Sequence, residues 1–222
     1  MSRALTLTAM ALLCSNVAQG APYTIRTDPV AIPKDVSPAV ARELSDQCIE
    51  LLDSKSKVLA QLWLRKTVPA KAATGGPFTY RDLEETTLLG AVRFPADVRD
   101  YRNQKIRAGV YTLRLGFQPM DGDHMGTAPF SEFCLLVGAA NDKSPDLIKD
   151  PKDLYERSGK SVHHTHAGVL LLFPVEKRSP SPKLVNKGQG QWVVTAEEKA
   201  SAAGNVGILG IALTLVGHSM SQ

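Results

Sequence analysis

Cysteine is scarce, with three among 222 residues, too few for the disulfide scaffold of a small secreted domain. Aromatic side chains make up only 6%, and they are not interleaved with basic residues as on a nucleic-acid platform. Neither sign of charge dominates. Lys plus Arg number 26 against 22 Asp plus Glu, an excess of +4, which is too small to call for a nucleic-acid partner. No apolar run reaches the roughly 20 residues of a membrane-spanning helix. No Walker pattern, dinucleotide fingerprint or other phosphate-cradling glycine loop occurs, and Thr74-Gly-Gly-Pro77 reads as a turn. What is present is ordinary: 43% hydrophobic and 22% charged residues. That balance excludes disorder, collagen and coiled coil as descriptions of the whole chain.

The first twenty residues stand apart. Arg3 is their one charge, Ala4 to Val17 is mostly apolar, and the small residues Ala18, Gly20 and Ala21 follow. A positive start, a short apolar run and a small-residue cleavage site are the order of a secretory signal. Residues 1–20 are therefore expected to be a signal peptide cut after Gly20, with the mature chain 21–222 exported to the periplasm or beyond. A lipid anchor on Cys14 is disfavoured by bulky Leu13 before it. Loss of Arg3 leaves the mature chain at +3. Its two cysteines, Cys48 and Cys134, can form a disulfide worth roughly 4–5 kcal/mol on the chain-entropy model, or lie buried as free thiols. The apolar stretch Gly204 to Gly217 has only fourteen residues, Asn205 and Thr214 among them. It reads as a buried strand, so the mature chain is expected to have no membrane span.

Period two dominates that chain. Tyr111, Leu113, Leu115 and Phe117 alternate with Thr112 and Arg114; Val58, Ala60, Leu62 and Leu64 alternate with Gln61, Trp63 and Arg65. Such alternation marks half-buried strands. The polar Asp53-Ser-Lys-Ser-Lys57 predicts a hairpin of 47–52 with 58–66. Further strands are expected at 23–27, 88–94, 132–138, 168–174, 190–195 and 206–216. Helix signals are local. Ser37-Pro38 predicts a short helix over 38–45. Ser144-Pro145 and Asp150-Pro151 predict one or two surface helices within 144–158, with Gly159 as the stop. Lys177 to Lys183 reads as a solvent loop. The sum is an all-β chain: a single β-sandwich or jelly-roll-like domain with short surface helices.

One long segment, Ile106-Arg-Ala-Gly-Val-Tyr-Thr-Leu-Arg-Leu-Gly-Phe-Gln-Pro-Met-Asp-Gly-Asp-His-Met-Gly126, resembles a group of uncharacterised exported bacterial proteins. Leu62-Trp-Leu-Arg-Lys66, Asp100-Tyr-Arg102 and Val216-Gly-His-Ser219 match it too. The resemblance spans most of the mature chain and implies export and a β-rich fold. It brings no activity and no catalytic residues.

The histidines carry the clearest chemical hint. All five (His124, His163, His164, His166 and His218) lie in the second half. On an extended strand His164 and His166 would share a face, and such a pair can present imidazoles to Zn or Cu. His124 would supply a third ligand and Asp121 or Asp123 a carboxylate, leaving His163 as a bystander. The bland alternative is a solvent-exposed polar loop. Asp121-Gly-Asp123 lacks the remaining oxygen ligands of a calcium loop and suits a tight turn. Gly217-His-Ser219 looks like the front of a nucleophile elbow, but Ser221 stands where the second glycine is required. Glu84-Glu85 and Glu197-Glu198 are adjacent, so on a strand each pair faces opposite sides. Trp63 and Trp192 are candidate stacking surfaces for a ligand; the competing reading buries each under a loop or against the second sheet. Two functions follow as expectations: a non-enzymatic binding or structural module, or a metalloprotein using His124, His164 and His166. Ligand and partner are not specified by the sequence.

Overall fold

The computed structural model describes residues 21–72, 76–118, 128–175 and 177–219. Thirteen strands form in chain order. They are β1 Tyr23–Pro29, β2 Leu44–Asp53, β3 Val58–Arg65, β4 Thr67–Pro69, β5 Leu88–Phe94, β6 Val98–Arg99 and β7 Lys105–Ile106. Then come β8 Gly109–Phe117, β9 Glu132–Gly138, β10 Val169–Leu171, β11 Lys183–Gly188, β12 Gln191–Ala202 and β13 Asn205–Val216. Two helices, α1 Pro38–Glu43 and α2 Pro151–Val162, lie among them. The chain is all-β, as its alternation requires.

An antiparallel seven-stranded sheet runs β1-β2-β3-β5-β8-β9-β10. A second sheet runs β11-β12-β13, with β4 parallel to β12. The inward rows of both sheets, Leu62, Leu113 and Leu136 on one and Val194, Ile211 and Leu213 on the other, make one shared core. The chain steps from the seven-stranded sheet into the other at two corners. After β3 it turns at Lys66 into β4. After β10, Leu172 bridges Leu213 and the Phe173 N–H donates to the Ala212 carbonyl at 2.8 Å. Buried Tyr80 pins this second corner: its hydroxyl accepts from the Ala212 N–H at 2.8 Å and donates to the Phe173 carbonyl at 3.3 Å.

Local chemistry sets the turns. The Asp53 carboxylate accepts from the N–H groups of Lys55 at 2.8 Å and Lys57 at 2.9 Å, which closes the β2–β3 hairpin. Those two bonds hold its carboxyl below the usual range, the Lys57 bond most strongly. Ser37 caps α1 through the Val40 N–H at 3.3 Å, with Pro38 beginning the helix. Asp150 does the same for α2 through Lys152, with Pro151 following.

Three expectations need correction. Gly159 does not stop α2, which continues to Val162 and ends on left-handed His163 at φ 59°. Gly159 is instead where the chain folds back: a Cβ there would stand 3.0 Å from the His164 carbonyl oxygen. The strand expected at 190–195 runs on to Ala202 and returns as β13 through Ala203 and Gly204, at φ 48° and 84°. Both signs suit a two-residue hairpin turn of type I′. The strand expected at 168–174 pairs with β9 only over Val169–Leu171, because Leu172 already belongs to the other sheet. Gly204 to Gly217 lies in β13 and its flanks, as expected. Among the described residues no helix is long and apolar enough to cross a membrane.

Candidate binding cleft

The outer face of the seven-stranded sheet carries a buried cation. On β8, Tyr111, Leu113 and Leu115 point into the shared core, which turns Thr112 and Arg114 to the other side. There, loop 139–150 covers Arg114, leaving it 1% exposed. All five of its N–H groups find acceptors. Nε and Nη2 grip the two Asp142 carboxylate oxygens at 2.7 and 2.8 Å. Nη1 donates to the carbonyls of Thr86 and Asp146, both at 2.8 Å, and Nη2 also donates to the Ser144 carbonyl at 2.5 Å. Thr112 completes Asp142 through its hydroxyl at 2.6 Å. The loop is further moored by Thr86, which bonds both backbone groups of Ile148, and by Ser37, which donates to the Lys143 carbonyl. A buried pair of this kind stands only when its remaining hydrogen bonds are made, and here they are.

The moored loop and α2 enclose a cleft of about 480 Å³. Its lining balances Arg114, Lys143, Lys149 and Arg157 against Asp142, Asp146, Asp150 and Asp153. Most of these charges are already spent. Arg157 is paired with Asp153 at 2.6 Å, Asp150 caps α2, and Asp146 accepts from the Ser144 hydroxyl at 2.6 Å. The Ser144 hydroxyl is thereby committed to a carboxylate, and no imidazole lines the wall among the described residues. Among the described lining residues, no hydroxyl or thiol is paired with an imidazole.

Comparison with known protein families, curated proteins and solved structures finds no match for this chain. The site therefore stands on its own geometry.

None of the described residues singled out from the sequence as metal ligands or stacking surfaces lines this cleft. His124 and Asp121, with Asp123, lie outside the described residues. His164 and His166 lie in an exposed turn after α2, not on a strand, so the alternation that placed both imidazoles on one face does not apply. The Nε2–H of His164 donates to the Lys105 carbonyl at 3.0 Å. No group of three or more His, Cys, Asp or Glu able to hold a metal ion occurs among the described residues. His218 is turned onto its neighbour, its Nδ1–H donating to the Ser219 carbonyl at 2.9 Å.

Trp63 is no surface platform. It is 0% exposed beneath residues 30–36 and α1, and its indole N–H donates to the Val30 carbonyl at 3.0 Å. Trp192 is half-buried at the open edge of the sandwich, its ring edge-on to Tyr23 at 5.4 Å. The two indoles thus belong to different faces. Cys48 and Cys134 do not pair. Both are free and buried, on opposite faces of one sheet, and four strands apart, roughly 19 Å at the usual strand spacing. Burial pushes the Cys48 thiol up to about 12, and raises that of Cys134 further. Reaction requires the thiolate. Iodoacetamide at pH 8 is therefore expected to leave both unmodified in the native protein and to label both in urea, read by intact mass; rapid native labelling of either would contradict this burial.

Proposed function

We propose that the mature chain is an exported, non-catalytic binding module, and that the cleft between loop 141–150 and α2 takes a small polar solute of no net charge. The observation that carries this reading is the loop anchored from beneath by Arg114. Irregular loops fixed on a rigid sheet are how binding surfaces are commonly built, and the charge-balanced lining favours a neutral or zwitterionic occupant over an ion. Export rests on residues 1–20, whose charge and apolar order read as a signal peptide.

The test is a thermal-unfolding screen of residues 21–222 against amino acids, sugars and polyols. A true ligand at a hundredfold excess over its Kd stabilises by about 2.7 kcal/mol, or ~5–10 °C for a chain of this size. That shift is expected to vanish in Lys143→Ala and Arg157→Ala. No shift with any solute, or a shift that survives both substitutions, would overturn the assignment.

A further inference from the structure

The His163–His166 turn does take part in a constructed surface, though not a metal site among the described residues. Gly159 lets the turn fold back, and His164 then docks on Lys105, at the foot of the small β6–β7 hairpin. In that hairpin Ile106 is buried in the core. By strand alternation Lys105 and Arg107 therefore point outward, and Arg99 sits directly opposite Lys105. Arg102 is exposed in the connecting turn, and Lys160 is exposed three residues before the end of the docked segment's helix cap.

Residues 97–107 hold four Arg or Lys against two Asp, an excess of two. In α2, Arg157 is paired with Asp153 and Lys160 with Glu156, so that helix presents cations to the rim without adding to the excess. That local excess of two is most of the mature chain's +3. Neither Asp offsets it freely. Asp100 is 0% exposed and spends its oxygens on the N–H groups of Val169 and Gln104 and on the Gln104 side chain. Asp97 is held by Lys105 at 2.8 Å and by the Ala108 N–H at 2.9 Å. Arg107 also lies near enough to Asp97 to help hold its carboxyl below the usual range, after Lys105 and the Ala108 N–H, and Arg102 is exposed in the turn. Three exposed imidazoles lie along the same rim.

We infer that the β6–β7 hairpin and the 160–166 segment together form a docking surface for an acidic polysaccharide. The charge is concentrated on one rim where it can act as a field. The exposed large hydrophobic side chains among the described residues are Leu147 and Val206, both on other elements. The rim therefore offers nothing to insert into a bilayer. Its one aromatic, Tyr101, is 5% exposed and unavailable to stack on bases. Sulfate or carboxylate groups along a sugar chain need only the arrayed cations and N–H donors that are present.

The test uses residues 21–222 and heparin as the probe, with phosphatidylglycerol vesicles and oligo-dT as comparison arms. Heparin is expected to bind at 50 mM salt and to be released as salt rises. Arg102→Ser with Arg107→Ser should weaken binding tenfold or more, while Lys34→Ser with Lys55→Ser, exposed on other segments, should leave it unchanged. Asp97→Asn keeps its hydrogen-bonding capacity and removes a negative charge, so it should tighten binding two- to threefold, a gain that misfolding cannot mimic. No heparin binding, equal losses in the two double variants, or vesicle or oligo-dT binding as tight as heparin's would each overturn the assignment.

Discussion

Replacing Arg114 by methionine lowers the unfolding free energy by about 3–5 kcal/mol, the usual cost of stripping one partner from a buried ion pair. The loss comes less from the missing guanidinium than from what it leaves behind. Asp142 is 3% exposed, and without Arg114 its side-chain partners among the described residues fall to the Thr112 hydroxyl at 2.6 Å, with Arg157 acting only from a distance. The carbonyls of Thr86, Ser144 and Asp146 lose a donor at the same time. Lysine at this position does not rescue, since a point charge cannot reproduce the planar fork that reaches five acceptors. Combining Arg114→Met with Asp142→Leu is expected to recover much of the loss, because an apolar pair of similar volume no longer strands a charge. Urea unfolding of the two single variants and the double variant measures this as a thermodynamic cycle. Additive losses would mean that the pair does not act as a unit, and that loop 139–150 is held mainly by Ser37 and Thr86.

The same hub shows where the sequence stops being informative. β5 and β9 form at Leu88–Phe94 and Glu132–Gly138, the limits that their apolar runs predict. α1 begins at Pro38 because Ser37-Pro38 is a complete local signal. These elements are written in neighbouring residues. Arg114 was legible only as the polar side of a half-buried strand. What buries it is Asp142, 28 residues away, and nothing local announces that a loop without regular structure will close over a strand face. The cleft depends on that closure, so it was invisible for the same reason. Gln61 and Arg65 beside Trp63 suggest a wet face, yet residues 30–36 and α1 cover the indole, the burial under a loop that the sequence also offered; only the identity of the covering segment lay beyond local reading. For His164 and His166 the period of two does not apply, because the backbone turns at left-handed His163 and both lie in that turn. β12 extends past its expected end through Ala196-Glu-Glu-Lys-Ala-Ser-Ala202, a stretch poor in β-branched and aromatic residues. It is held extended by full-length pairing with β13 and by β4 on the other edge.

That extension creates the second large effect. Val194, Ala196, Ala200 and Ala202 are buried in the shared core, so the alternation of β12 turns Glu198 toward the same side. It stands beyond the last residue of β12 that pairs with β11 and just before the first that pairs with β4. Burial pushes its carboxyl from 4.5 up to about 7, with no donor or cation among the described residues to counter it. The folded state therefore holds this proton more tightly than the unfolded chain does, and stability must fall as pH rises through the interval from about 4.5 to about 7. Below that interval both states are protonated and nothing is lost; above it the full cost of a half-buried carboxylate is present. A shift of this size corresponds to about 3 kcal/mol for a fully enclosed group, and solvent reaching the half-buried side chain reduces it to about 1–2 kcal/mol. Glu198→Gln removes the charge and keeps the shape. The variant is expected to match the parent chain at pH 4.5 and to exceed it by that margin at pH 8, in urea unfolding at each pH. Because every other titrating group is common to both proteins, the difference between their pH profiles belongs to this one carboxyl. Parallel profiles across the interval would show that Glu198 reaches water freely through the break between β11 and β4.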